Sequence, residues 1–597
     1  MTEFRNGSPG ETARVWPAPL KRVMRSMARL RPGRTSGPGW FIICWWVALA
    51  ATGGGFSGSV SASGFMGGLP WRSLWWYALA GGLWCAALGG LIRTPDLETI
   101  LRRPAFPLFA GWTGLAALFS PEPFLSVEQA ALVVTGGLVY FSAAVSFDEA
   151  DREAFFKTLV CAAFVCAALV LCAGLITGQA FSSCGFLFPP GVNYTAGLVA
   201  AGAAAAFSML CDPGYDIRYR RAMWIFWAFM TAMIVLMRSR GALAGELAAV
   251  MMVLAVRGRY RVLAGFVLAG LAALVVMPGG WLGYLIKADD AFAFSRPEIW
   301  KTALSAALDN PLFGLGPGRF ERYFLLHQFP SFDGFVYYGR YTGLAHCQPL
   351  QVAAETGVAG AVFYLCFIAG SFFRTVRLAQ PQIKTLAAAA ALFAASLVSE
   401  TLFLPVNFML FMLLLGVCGP LGQAAPESAG KAARAVLALF AALWVAGAAC
   451  GVFRIRAAGS EDPGILARAA VVYPYDAQLW ALRAASAAAE GPGSLCRARA
   501  FMERAAELYP TNAVYLYRLA GFEAASGDVA AARGTLLRAA RLEPNSPALN
   551  AMLAKTELAL GDAPAGRAAL KKAALNAARF GGLKPRGGYA RILLGGK

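Results

Sequence analysis

Again and again the chain stays apolar for close to twenty residues, and about 20 such residues are what a helix needs to cross a bilayer. The segments lie near 40–60, 74–92, 106–120, 127–146, 156–176, 193–210, 222–237, 241–256, 262–285, 350–372, 385–399, 403–421 and 433–453, about thirteen spans by length. A single soluble core cannot absorb this much apolar sequence. Composition agrees: 58% of the 597 residues are hydrophobic and 14% charged, where a soluble chain carries about 25% charged residues. The expected fold class is all-α, a polytopic membrane helix bundle.

The net charge of +20 raises nucleic acid as a partner, but its placement argues otherwise. Lys and Arg form short clusters between apolar runs, with no extended basic face interleaved with aromatics. Arg93, Arg102 and Arg103 follow the second span, Arg218, Arg220 and Arg221 the sixth, Arg257, Arg259 and Arg261 the eighth, and Arg374, Arg377 and Lys384 the tenth. These loops share one side with a basic leader at residues 1–38, and that side is therefore cytoplasmic. An odd number of spans places the C-terminus on the other side. The twelve cysteines lie mostly inside apolar runs, where cysteine behaves as a small hydrophobe. No Cys/His spacing suits a metal, so neither metal nor cofactor is expected.

Residues 39–430 read as the transmembrane part and 431–457 as a last span with its linker. From 458 to 597 the composition turns to Ala, Arg, Leu and Glu with helical periodicity. Pro474, Pro510 and Pro544 stand 36 and 34 residues apart, and Gly527-Asp528 recurs as Gly561-Asp562. This resembles tetratricopeptide repeats, helix pairs that stack into an α-solenoid through small Ala residues. Such a region offers a binding surface or a brace, and no chemistry is visible in it.

Ionisable residues inside or beside spans need a reason to be there, since each costs about 2.5–3.5 kcal/mol at the bilayer centre. Arg238-Ser239-Arg240 makes a tight turn between spans seven and eight, and Arg296 opens the long outer loop at 286–349. The ordinary alternative for each arginine is snorkelling to headgroups. The chain has two histidines, and His346 stands where this loop meets span ten. Leu350, Gln351 and Glu355 follow it at helical spacing, as if a helix began near Ala345. An imidazole with an unperturbed pKa of about 6.5 suits a general base; the bland alternative is an interfacial His bonded to a carbonyl. His327, with no motif around it, reads as a solvated loop residue.

In order along the chain, Arg296 and Trp300, then Asp309-Asn310-Pro311-Leu312-Phe313-Gly314-Leu315-Gly316-Pro317-Gly318, then Ala345-His346 with Gln351, Glu355, Gly357 and Gly360, resemble the O-antigen ligase superfamily. Trp112 through Ser120, Gly185-Phe186 to Asn193, and Ser239-Arg240-Gly241 fit as well. The superfamily includes O-antigen ligases, O-antigen and capsule polymerases, and protein O-oligosaccharyltransferases. The resemblance implies a donor glycan on undecaprenyl diphosphate and metal-independent transfer at the periplasmic face of a bacterial inner membrane. Arg240 and Arg296 would hold the diphosphate and His346 would be the catalytic base, with Arg238, Gln351, Glu355 and Glu400 in support. Two positions depart from the family pattern. Cys347 stands where Asn is usual after the histidine, and Glu400 stands near a position that often carries His or Asp.

The reading is an inverting glycan ligase or polymerase whose acceptor is lipid A-core, a growing polysaccharide or a protein. Its repeat region lies in the periplasm, where it can meet a protein partner. Two other classes stay open: a membrane transporter, and a non-catalytic polysaccharide-assembly scaffold acting through the repeats.

Overall fold

In the computed structural model the described residues are 37–52, 70–95, 100, 103–121, 123–181, 192–276, 283, 295–327, 342–377, 382–418, 431–580 and 592–593. Residues 1–36 of the basic leader at 1–38, the pair Gly185-Phe186 and much of the long loop lie outside them. Among the described residues there are 22 α-helices and no strand.

Every apolar segment carries a helix. In order they are α1 (Gly37–Thr52), α2 (Pro70–Leu88), α3 (Ala105–Leu118), α4 (Pro123–Ser146), α5 (Glu149–Thr177), α6 (Val192–Leu210) and α7 (Ile217–Leu236). Then come α8 (Arg240–Val256), α9 (Tyr260–Val276), α10 (Arg296–Asp309), α11 (Phe320–Leu326), α12 (Gln348–Val376), α13 (Ile383–Ser396) and α14 (Pro405–Val417). A long helix, α15 (Lys431–Ala458), leads into α16 (Pro463–Val472), α17 (Ala477–Ala489), α18 (Leu495–Leu508), α19 (Ala513–Ala525), α20 (Val529–Leu542), α21 (Pro547–Ala559) and α22 (Ala563–Phe580).

Five helices, α4, α5, α6, α12 and α15, contain stretches long and apolar enough to cross a membrane. Several others carry apolar stretches of 10–17 residues. Among the shorter ones α14 is enclosed: all thirteen of its residues are buried, so its apolar surface faces protein on every side. The Ala- and Gly-rich α6 is buried from Tyr194 to Met209, because small side chains let neighbouring backbones approach closely. It packs on α5, α7, α8 and α13. Trp46 and Trp76, both fully buried, anchor the first two helices in the same core.

α12 is broken. Gly357 takes φ +74 within it, and a Cβ there would collide with the Leu312 carbonyl. The break frees backbone groups that hydrocarbon could not satisfy, and the glycine-rich loop answers them. Leu315 donates to the Ala354 carbonyl at 2.9 Å, Gly316 to Glu355 at 3.0 Å, and Val358 donates back to Pro311 at 2.9 Å. The Trp112 indole bonds the Thr356 carbonyl at 2.9 Å and that of Leu312 at 3.2 Å. Gly314, Gly316 and Gly318, all at positive φ, are therefore turn formers clasped to a broken helix.

A small core of Ile299, Ala303, Ala306, Phe320, Phe324, Ala345 and Ala354 ties α10 and α11 to the start of α12. The opposite side of α11 meets the C-terminal helices. Leu325 belongs to their core, and Arg322 lies 4.3 Å from the centre of the Tyr509 ring. From α16 to α22 each helix packs on the next, with the N-caps Asp476, Asn512, Asp528 and Ser546 accepting from backbone amides as such residues do. Tyr509, Leu516, Leu536 and Leu549 are buried between them.

Replacing Gly357 by Ala combines a Cβ clash with a backbone at φ +74 and ψ 177 that is essentially confined to glycine, at a cost of about 1–3 kcal/mol. The Gly357→Ala protein is expected to unfold at least about 2 kcal/mol more readily than the wild type in detergent-solubilised thermal or denaturant melts. An unchanged melt would mean that the loop contact is dispensable.

Candidate functional site

The residues singled out from sequence sit on separate pieces of chain, and a chain of hydrogen bonds joins four of those pieces. His346 is not on a helix. α12 begins at Gln348, after Cys347 as N-cap, and His346 precedes it with φ +52. The helix expected from Ala345 onward is thus delayed, because Pro349 lacks the N–H that would bond the Ala345 carbonyl and so fits only in the first turn. Histidine tolerates the left-handed region better than most residues, and the conformation turns its ring away from the helix toward Glu400.

Nδ1 of His346 lies 2.6 Å from Oε2 of Glu400. The other oxygen, Oε1, accepts from Asn193 Nδ2 at 3.0 Å, and Asn193 Oδ1 accepts from Ser239 Oγ at 3.1 Å. Ser239 is the N-cap of α8, whose first residue is Arg240. Four distant parts of the chain thereby meet: the start of α6, the α7–α8 turn, the start of α12, and the segment after α13. The side chains of His346 and Glu400 are 22% and 12% exposed, so the pair is shielded yet reachable.

Electrostatics binds the arginines to the same place. Burial would raise the Glu400 carboxyl, but the His346 imidazole and the Asn193 amide hold it well below the usual carboxylate range. Burial lowers the Arg296 guanidinium from its ordinary value; Glu400 opposes that and Arg240 adds to it. Arg296 therefore lies within the fields of both Glu400 and Arg240. Arg296 is thus the cation that the described residues tie to both Glu400 and Arg240.

An ionised carboxylate only accepts hydrogen bonds, so Nδ1 of His346 carries the proton that faces Glu400. Nε2 of the neutral ring then holds a lone pair. Thr342 Oγ1 stands 3.3 Å from Nε2 and 2.8 Å from the Leu344 carbonyl, and its single hydrogen can turn to either. The arrangement is a base held in one tautomer by a carboxylate. His346 and Glu400 line a small pocket with Cys347, Gln351, Ser399 and Phe403. A separate cavity of about 730 Å³, between α2, α3, α4 and α15, is lined by none of these groups.

The supporting residues separate into different jobs. Arg238 takes φ +54 and provides the reversal between α7 and α8. Gln351 accepts from the Ala345 amide at 2.6 Å and donates to Glu355 Oε1 at 2.7 Å. Glu355 also receives the backbone amides of Gly318 and Phe320. Gln351 thus fixes the residue before His346, while Glu355 fixes the glycine-rich loop. His327 lies apart, stacked on Tyr323 at 4.1 Å. Sequence reasoning missed the linking roles of Asn193, Ser239 and Thr342. The available signal was an amide side chain opening an otherwise Ala-rich apolar run. Among the described residues no group of His, Cys, Asp or Glu is placed to hold a metal ion.

A carboxylate-held histidine with an arginine in its field can accept a proton and balance an anion. Residues 225–365 match the family model described as O-antigen ligase, a stretch that contains Arg240, Arg296 and His346. The match supports the O-antigen ligase superfamily, and with it a glycosyltransferase-like enzyme of the glycan ligase or polymerase kind that acts on lipid-linked glycan and acceptor substrates. No curated protein matches the chain.

Cys347 makes no side-chain hydrogen bond that caps α12. Asn accepts N-cap hydrogen bonds better than a thiol does. Cys347→Asn is expected to stabilise the protein by about 0.5–2 kcal/mol, read as a higher melting temperature with the site intact. A lower one would show that the thiol packs in a way Asn cannot.

Proposed function

We propose that this protein transfers a glycan from undecaprenyl diphosphate to an acceptor hydroxyl at the periplasmic face of the inner membrane, without a metal. The observation that carries the reading is the hydrogen-bonded line Ser239–Asn193–Glu400–His346, with Arg240 and Arg296 in its electrostatic neighbourhood.

The acceptor hydroxyl gives its proton to Nε2 of His346, and its oxygen attacks the anomeric carbon. The bond from that carbon to the diphosphate oxygen breaks, and the electron pair leaves with the diphosphate. Attack from the face opposite the leaving group inverts the anomeric centre. Arg240 and Arg296 bind the departing charge with planar donor sets that remain protonated. The imidazolium formed at His346 is stabilised by Glu400, as a carboxylate stabilises a histidine base in hydrolytic triads. Positioning and electrostatics suffice for such a displacement.

The charge pattern of the loops supports placing His346 outside the cytoplasm. The C-terminal helices, read as tetratricopeptide-like repeats, abut α11 beside the site, where a protein acceptor or an assembly partner could be presented. That arrangement favours a protein or a polymerising glycan as acceptor over lipid A-core.

Transfer assayed in membranes with a polyprenyl-diphosphate glycan should fall about 100-fold or more in His346→Ala. Arg240→Ala and Arg296→Ala should each lower it about 100-fold, and Arg296→Lys should recover little of that, since lysine cannot replace the bidentate fork. Glu400→Gln should retain more activity than His346→Ala while still losing about tenfold or more. Undiminished transfer by a correctly inserted His346→Ala protein would remove the base from the mechanism.

A further inference from the structure

Beneath the glycine-rich loop, a cavity of about 70 Å³ lies between α3, α4, α12 and α14. Two polar side chains in its wall are deeply buried: Gln129 of α4 is 8% exposed and Tyr364 of α12 is 2% exposed. Among the described residues, neither Gln129 Nε2 nor the Tyr364 hydroxyl has a hydrogen-bond partner. Gly318 packs on Gln129, where a Cβ would come 2.8 Å from its Cγ, so the loop holds this side chain in the cavity wall.

The remaining polar groups of the wall are oriented elsewhere. Thr113 and Thr356 bond the carbonyls of Phe109 at 2.8 Å and Val352 at 2.7 Å within their own helices, and their oxygens keep lone pairs that can accept. Gln351 donates to Glu355 at 2.7 Å. A buried donor with nothing to bond is costly, and here two face one cavity. Buried polar groups that the protein does not pair are satisfied by ordered water, given room and two to four polar partners. Both conditions hold. One water takes about 30 Å³ in the liquid, so about two fit.

We infer that this cavity is a water-binding site, in which about two ordered molecules join Gln129 and Tyr364 to the threonine oxygens. Its position links it to the candidate site. Gln348, Gln351 and Phe403 line both this cavity and the His346 pocket, so the bound water backs the wall between them. Gln351 in turn accepts from the amide of Ala345, the residue before His346. The inference concerns the packing behind that pocket and does not rest on the transfer reaction.

The test is radiolytic hydroxyl labelling of the full chain in detergent, read by peptide mass spectrometry, because water held against a side chain is itself the source of the radicals. Tyr364 and Phe109 line the cavity and should be labelled several times faster than Phe155 and Phe411, which are at least as deeply buried and do not line it. A brief mix into heavy-oxygen water before exposure should leave part of that label as ordinary oxygen, since held water exchanges slowly. Gln129→Leu with Tyr364→Phe, close in size to the native side chains, removes two partners and should bring the Phe109 label down toward that of Phe155. Melting gives a separate reading of Gln129→Leu alone. In a dry cavity the substitution would relieve an unpaired amide and raise the melting temperature, whereas in a hydrated one no rise is expected. The inference is overturned if Tyr364 and Phe109 are labelled no faster than the two controls, or if all their label is heavy oxygen. It is equally overturned if the double variant labels like the wild type, or if Gln129→Leu melts higher.

Discussion

A carboxylate buried among apolar helices is costly unless cations and hydrogen-bond donors surround it. Glu400 meets that condition by drawing in His346 from the start of α12, Asn193 from α6, and, through Asn193, the turn that carries Arg240. Truncating any member would leave another polar group stranded in a bundle with little water to compensate. The same requirement fixes the imidazole tautomer, and so the site geometry and the helix packing have one cause.

α12 repeats that logic in the backbone. Its break at Gly357 would leave amides and carbonyls unpaired in an apolar setting. The loop from Pro311 to Gly318 and the Trp112 indole take up those groups. Gln351 and Glu355 then lock the residues on either side, one beside His346 and one beside the glycine-rich loop. The glycine-rich stretch is thereby a splint for α12, which begins just after His346.

The short helix α11 connects this splint to the C-terminal helices. Phe320 and Phe324 face the core shared with α10, the helix that starts at Arg296, while Leu325 lies in the core of the C-terminal helices. The seven-residue α11 lies between the C-terminal helices and the core that holds Ala345, the residue before His346.

Run length and the spacing of apolar residues made the helical membrane character, the loop charge pattern and the periodic C-terminal stretch legible in the sequence, because these depend on local composition alone. Arg240, Arg296 and His346 could be picked out for the same reason: each is a polar residue at the edge of an apolar run. The sequence did not reveal that His346 lies outside its helix in a left-handed conformation, that Asn193 links Glu400 to Ser239, or that Glu355 serves the loop. Those are relations between residues tens to hundreds of positions apart. Only tertiary packing, which must pair every buried polar group, decides them.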